Sequence, residues 1–333
     1  MTKTISDIAQ MAGVAKSTVS RYLNGGSVSA KTKQKLERIT REAGYVPNTF
    51  AQSLKAKRTN LIGTIVPRLD SFAAAQTMTG IDEEVRAAGG QMLIYNAGQE
   101  REREIEAMQE LARQKVAGII LMPARVTPDH LRAAEAAGIP VLLVGQGSDQ
   151  LHSVVYDDYR AGLLMGRYVL QQGHRRIAYL GVTEDDEAVG LRRKEGFRDA
   201  VAECGEDCEV FEYESSFKIA DARLAAERIL DECSPTLIVC ATDNIALGVV
   251  KTAHLRGLSI PEQLSITGFG GYEVTEIIHP ALTTVRFPYF EAGKLAARLV
   301  HKLAAGEEIE QRTILDVEFL AQESVDNLNK PSV

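Results

Sequence analysis

"TISDIAQMAGVAKSTVSRYLN", Thr4 to Asn24, sits near the start of the chain and sets the reading of everything after it. Ile5, Ile8, Ala9 and Ala12 recur at helical spacing, and Thr4 or Ser6 can cap the helix they form. Gly13 interrupts it and permits a tight turn. Beyond the turn, Val19, Tyr22 and Leu23 point one way, while Lys16, Ser17, Ser20 and Arg21 point largely another. A helix, a short glycine-containing turn and a second, polar-faced helix make a helix-turn-helix. Asn24-Gly25-Gly26 ends it. A third helix is predicted from about Ser29 to Ala43, with Leu36, Ile39 and Ala43 inward and Gly44 as its stop.

Charge agrees with that reading. The chain has 333 residues and a net charge of −7. Residues 1–60 carry eleven Lys/Arg against Asp7, Glu37 and Glu42, an excess of +8, which leaves −15 on the rest. A small basic head on an acidic body is the electrostatic footprint of nucleic-acid binding by the head alone. The second helix then reads as a recognition helix for the major groove, with Lys16 and Arg21 donating to guanine edges. Thr18 and Ser20 suit phosphate contacts that set register, and Ser17 and Asn24 complete the expected DNA-facing set.

Composition narrows the rest. It is 45% apolar and 25% charged, that of an ordinary globular chain long enough for two or more domains. No apolar run reaches the ~18 residues that read as a membrane span. "MTKTISDIAQ" lacks the features of a signal peptide. Cys204, Cys208, Cys233 and Cys240 are too few and irregular for a disulfide framework, and read as buried thiols ahead of a metal site. A cytoplasmic protein is expected.

The quoted N-terminal stretch resembles the signature of the lactose-repressor (LacI/GalR) family of bacterial transcription regulators, and the match continues through "GYVPNTFAQSLKAKRTNLIGTIVP". The resemblance implies a hinge helix that inserts a leucine into the minor groove. Asn48 to Ala56 is the matching segment, with Asn48, Ala51, Leu54 and Lys55 as its expected DNA contacts. Nine residues make a marginal helix alone, so folding on DNA in a symmetric pair is physically reasonable. The expected organisation is a head at 1–46 and a hinge at 47–60. A near-palindromic operator requires two heads related by a two-fold axis, hence a homodimer.

From Leu61 onward short apolar runs alternate with helical stretches. The runs are "LIGTIV", "QMLIYNA", "VAGIILMP", "PVLLVGQ", "SVVYDD", "RIAYLGV", "EVFEY", "TLIVCA", "LSITGFGG" and "TTVRF". Repeated βα units predict doubly wound parallel sheets covered by helices, and about twice as many strands as one such sheet holds predict two lobes. The resemblance implies a periplasmic-binding-protein-like core. Its first lobe is expected at 61–160 with 291–325, and its second at 161–290.

Ligands of open α/β sheets bind beyond the carboxyl ends of the strands. The candidates there are Arg68, Asp70 and Phe72 after the first strand, then Gln146, then Tyr156 and Asp157 with Asp158 beside them. Arg192, Arg193, Phe217, Asp243 and Gly270 stand at the ends of later ones. Aromatic faces with Arg, Asp and Gln hydrogen bonds hold polyhydroxylated rings. The plainer alternatives are Asp157 or Asp158 as a helix cap, Phe217 as core and Arg192 as a solvated charge.

No nucleophile elbow, Walker loop, zinc-protease helix or dinucleotide fingerprint is present, and the six histidines lack metal-ligand spacing. No enzymatic activity, cofactor or metal is expected. The reading is a repressor of a carbohydrate operon under allosteric control by a sugar or sugar phosphate. Within the family, "VPRLDS", "CATDNIALG" and "HPALTTV" resemble the trehalose-repressor branch, which implies a disaccharide 6-phosphate inducer with Arg68 on the phosphate. "GFGG" departs from the family's usual carboxylate at Gly270–Gly271. A neutral sugar such as sucrose or maltose, or a corepressor-type ligand, stays open beside that reading.

Overall fold

The computed structural model describes residues 3–23, 26–45, 59–203 and 207–329. It divides into two units, Met1–Thr59 and Asn60–Val333.

The described part of the first unit contains α1 (Ile5–Ala12), α2 (Lys16–Leu23) and α3 (Ala30–Glu42). Thr4 rather than Ser6 caps α1. Its hydroxyl accepts the Asp7 N–H at 3.4 Å, and the Asp7 carboxylate accepts the Thr4 N–H at 2.7 Å. Gly13 takes a left-handed φ of 59° and so turns the chain into α2. Ser29 caps α3 through the Thr32 N–H. Ile8, Ala12, Val19 and Leu36 are fully buried, with Ile39, Tyr22 and Leu23 packed beside them. This small core brings the three helices together through the positions whose spacing predicted them.

In the second unit each of the ten apolar runs forms a strand. The first sheet contains β1 (Leu61–Val66), β2 (Gln91–Asn96), β3 (Gly118–Leu121), β4 (Val141–Val144), β5 (His152–Tyr156) and β11 (Arg312–Leu315), in the order β11-β5-β4-β3-β1-β2. The second contains β6 (Arg176–Gly181), β7 (Glu209–Glu214), β8 (Leu237–Cys240), β9 (Ser265–Gly270), β10 (Thr283–Arg286) and β12 (Glu318–Leu320), in the order β12-β10-β9-β8-β6-β7. All pairings are parallel except β12 on β10. Central strands such as β3, β4 and β8 are buried at every position, as parallel strands covered on both faces must be.

The expected lobe boundary needs a correction. The segment 291–325 does not join the first lobe whole. The helix Tyr289–Ala305 and β11 do join it, but β12 pairs with β10 of the second sheet. Beyond it the Ser324 hydroxyl donates to the Ile266 carbonyl at 2.5 Å and accepts the Thr283 N–H at 2.9 Å. The edge of β10 would otherwise expose unpaired backbone groups, and the returning segment covers it. β11 and β12 are half-exposed edge strands, with no continuous apolar run to announce them.

Strand order decides where a ligand can sit. β1 lies between β3 and β2, and β6 lies between β8 and β7. Each is a point where the winding reverses and the helices diverge, leaving a crevice at the carboxyl ends of the strands.

Candidate functional site

Two features invite a functional reading: the face of α2 in the first unit and an interior cavity in the second. On α2, Val19 is fully buried, while Lys16, Ser17 and Arg21 are exposed and Thr18 and Ser20 half-exposed. The helix therefore presents the predicted polar set to solvent. Asn24, and the hinge candidates Asn48, Ala51, Leu54 and Lys55, lie outside the described residues.

The cavity encloses about 160 Å³ between the two lobes of the second unit. Both winding reversals feed it. Pro67, Arg68 and Met122 come from the ends of β1 and β3, and Thr242 and Asn244 from beyond β8. Of the eleven residues predicted, Arg68, Gln146, Tyr156, Arg193 and Phe217 line it.

Arg193 is the most constrained. It is 3% exposed, and its Nε donates to Asp158 Oδ1 at 2.6 Å. Its Nη1 donates to the Ala241 carbonyl at 2.8 Å, and its guanidinium lies 4.4 Å from the Phe287 ring centre and 5.4 Å from that of Phe269. Burial pushes the Asp158 carboxyl up, and Arg193 opposes that shift. Arg68 is different. Its guanidinium stacks over Phe217 at 5.0 Å, and its nearest carboxylate, Asp70, is 3.7 Å away on a side chain three-quarters exposed.

Six predicted positions fall elsewhere, each for a definable reason. Asp157 caps the helix Asp158–Gln171 by accepting the Arg160 N–H at 3.0 Å, and Asp158 faces the cavity instead. Arg192 pairs at the surface with Glu195 at 2.8 Å, one step round the helix from Arg193. Asp70 points to solvent. Phe72 packs on Tyr272 with ring centres 4.2 Å apart, behind the cavity wall. Asp243 is fully buried and accepts the Thr284 hydroxyl at 2.6 Å and the Tyr272 N–H at 2.9 Å. Burial pushes its carboxyl up to about 6, and these donors oppose that. It supports Tyr272, which does line the cavity. Gly270 holds φ 151°, and a Cβ there would stand 2.4 Å from the Tyr272 ring. The "GFGG" departure therefore makes room for that tyrosine. Arg192 and Arg193 both have carboxylate partners, so neither brings uncompensated positive charge to the cleft.

Sequence reasoning missed Gln99, Asp186 and Asn244, which also line the cavity. Asp186 precedes a short π-helix, Glu187–Arg192, and caps it through the Val189 N–H at 3.0 Å. The same Oδ1 accepts Gln146 Nε2 from the other lobe at 3.2 Å. Two more bonds close the lobes beside it: Arg125 Nη2 donates to the Glu184 carbonyl at 2.6 Å, and the Glu187 N–H to the Ala124 carbonyl at 3.3 Å. A π-helix at a ligand cavity was a detectable class of feature in principle, but no periodicity in "EAVGLR" marks it.

Burial pushes the Asp186 carboxyl up to about 6, against the pull of the Val189 N–H, Arg193 and Gln146. In the folded state it thus holds its proton to higher pH than in the unfolded chain, and stability is lost as pH rises through about 4 to 6. Asp186→Asn keeps an oxygen for both donors and removes that loss. The variant is expected to melt several degrees above the parent at pH 8, with the gain gone at about pH 4. Thermal melts at pH 4, 6 and 8 check this, and an equal shift at all three counts against it.

Among the described residues no helix is long and apolar enough to cross a membrane, and no cluster of His, Cys, Asp or Glu has the form of a metal site. Cys233 and Cys240 are buried free thiols.

Comparison with known proteins places this geometry. Residues 4–48 match the model of bacterial regulatory proteins of the lacI family, and residues 59–323 match that of the periplasmic binding proteins and sugar binding domain of the LacI family. The sucrose operon repressor of Staphylococcus xylosus is 41% identical over 95% of this chain and 98% of its own. The lac repressor dimer bound to operator and the anti-inducer ONPF superposes with a TM-score of 0.89 at 25% identity, over 98% of this chain and all of that one. The complex of the transcriptional regulator CelR with cellobiose gives 0.73 at 25% identity, over 97% and 99%. Nothing in these similarities singles out a trehalose-repressor branch.

Proposed function

This chain belongs to the LacI family of bacterial regulatory proteins, and from that premise we propose that it represses a sucrose-type operon and is released by a phosphorylated disaccharide. At the coarser level it is a DNA-binding repressor of carbohydrate metabolism controlled allosterically by a small molecule, with no catalytic role. The sugar class is supported by the 41% identical relative, named for the sucrose operon.

Arg68 is the observation that carries the phosphate. Its side chain is 16% exposed, it lines the cavity, and its one ion-pair partner among the described residues, Asp70, lies beyond hydrogen-bond distance on an exposed arm. A largely desolvated guanidinium held this loosely is completed by an anionic ligand group, which it can grip bidentately. Gln146, Asp186, Asn244 and Arg193 supply donors and acceptors for ring hydroxyls. Bonds joining the lobes at residues 124–125, 146 and 184–187 are among the contacts that ligand-driven closure alters. A ligand shifts the equilibrium only by its differential affinity for the two states.

On the DNA side, Lys16, Ser17, Thr18, Ser20 and Arg21 face the operator, with Lys16 and Arg21 reading bases. The operator is near-palindromic and the repressor acts as a homodimer, as the lac repressor dimer does. Leu255 and Ile277, large apolar side chains exposed on the second lobe, offer surface for that association.

Calorimetry with sucrose and sucrose 6-phosphate, alongside operator gel shifts with each, tests the reading. The phosphate is expected to bind more tightly and to release DNA. Arg68→Ala is expected to weaken the phosphate ester about 10- to 100-fold, the equivalent of a lost charge-assisted hydrogen bond, and to weaken sucrose much less. Equal loss for both sugars makes the effector neutral and Arg68 a packing residue.

A further inference from the structure

Next to the cavity, on the other side of Arg68 and Phe217, is a second, outer pocket of about 500 Å³. The two share Arg68, Gln99 and Phe217 in their walls. Arg68 comes from the first lobe and Phe217 from the second, so the guanidinium stacked 5.0 Å over the ring is a partition built across the lobes. The inner chamber, at about 160 Å³, is below the ~300 Å³ at which sites for drug-sized ligands begin. One sugar ring is the natural occupant of that space. A second ring joined to it has to pass the partition.

We infer that the outer pocket is a second sugar subsite, so that the effector is read as two rings in two chambers with Arg68 and Phe217 between them. The inference rests on the disaccharide reading above and adds where each ring lies.

The chemistry of the outer wall suits a polyhydroxylated ring. Thr183, Ser215 and Ser216 supply hydroxyls, Lys218 and Asp221 opposite charges, and Leu224 an apolar patch. Part of this wall is held by its own hydrogen bonds. The Ser216 hydroxyl donates to Asp221 Oδ2 at 2.5 Å and accepts the Lys218 N–H at 3.1 Å, and the Ser215 hydroxyl donates to the Ser216 carbonyl at 3.1 Å. A preformed polar wall costs less to organise on binding. Sugar hydroxyls both donate and accept, so a wall that mixes hydroxyls with both signs of charge can pair with them in a way that a single ion would not require.

The test fills the outer pocket and leaves the inner one alone. Full-length wild type and Ser215→Trp are titrated by calorimetry with fructose, glucose 6-phosphate, sucrose and sucrose 6-phosphate. Wild type is expected to bind at least one disaccharide more tightly than either hexose. Ser215→Trp is expected to weaken that disaccharide at least tenfold and to leave hexose binding within about twofold. Disaccharide binding that survives the substitution overturns the outer subsite while leaving the sugar-sensor reading standing. Equal losses for hexoses and disaccharides in both Ser215→Trp and the smaller Ser215→Leu also overturn it. Binding of hexoses alone by wild type overturns it by removing the second ring. Failure of all four sugars to bind wild type overturns it together with the reading on which it rests.

Discussion

Asp158→Ala lowers the unfolding free energy of the sugar-binding unit by about 3–5 kcal/mol, the usual cost of removing one partner from a buried ion pair. The reason is what remains behind. Arg193 is 3% exposed, and once the Asp158 carboxylate is gone its guanidinium is left with the Ala241 carbonyl and two aromatic rings as its described contacts. A carbonyl and ring faces compensate a desolvated cation poorly. Arg193 also lines the cavity, so the same variant is expected to lose its response to the effector. A second variant separates stability from function. Replacing both partners by apolar residues of similar volume, Asp158→Leu with Arg193→Met, removes the stranded charge. That pair is expected to recover most of the stability and none of the sugar response, because pairs of this kind contribute little net stabilisation. Urea denaturation and sugar titration of wild type and both variants decide it. A double variant as unstable as Asp158→Ala would show that the pair itself holds the lobe together.

Gly196→Val is the second large expected effect. Gly162 lies in the helix Asp158–Gln171 and Gly196 in the helix Arg193–Ala202. A Cβ added at Gly196 would stand 1.9 Å from the Tyr159 carbonyl oxygen, and one at Gly162 would stand 2.0 Å from the Arg193 carbonyl oxygen. The two backbones touch, and no rotamer change relieves a clash with backbone. Those helices carry Asp158 and Arg193 at their first positions, so prising them apart separates the ion pair as well. Overpacking ordinarily costs about 1–3 kcal/mol. Here a forced helix shift adds the loss of the pair, and the total is expected to exceed about 4 kcal/mol, enough to unfold a marginally stable unit. Calorimetric melting checks it, with Gly196→Ala expected to fall between wild type and Val. A Val variant that melts within a few degrees of wild type refutes the close-contact account.

What could be read from the chain alone follows from the range of the interactions involved. The three helices of the head rest on apolar spacing, caps and turns that act over four residues, and Ile8, Val19 and Leu36 are buried where that spacing puts them. The ten strand runs were legible because parallel strands are buried on both faces and so are continuously apolar. Arg68, Gln146 and Tyr156 were reachable because strand carboxyl ends in such sheets point at the crevice. The choice between Asp157 and Asp158, and between Arg192 and Arg193, was not. Neighbours on a helix lie about 100° apart, and only the packing of one helix on the other decides which of two like residues turns inward. Asp243 carries the same lesson: its chemistry suited a ligand, but Thr284 and Tyr272, distant in sequence, claim it. Asp186 and Gln99 sit on connections with no period to read. The sequence by itself determined the helix-turn-helix, the two-lobed α/β class and the strand ends where a ligand belongs, because those rest on local pattern. The tertiary structure alone decided the return of β12 to the second sheet, the burial of Arg193 on Asp158, and the partition between two chambers. Each of these is a contact between residues far apart in the chain, and no local preference encodes it.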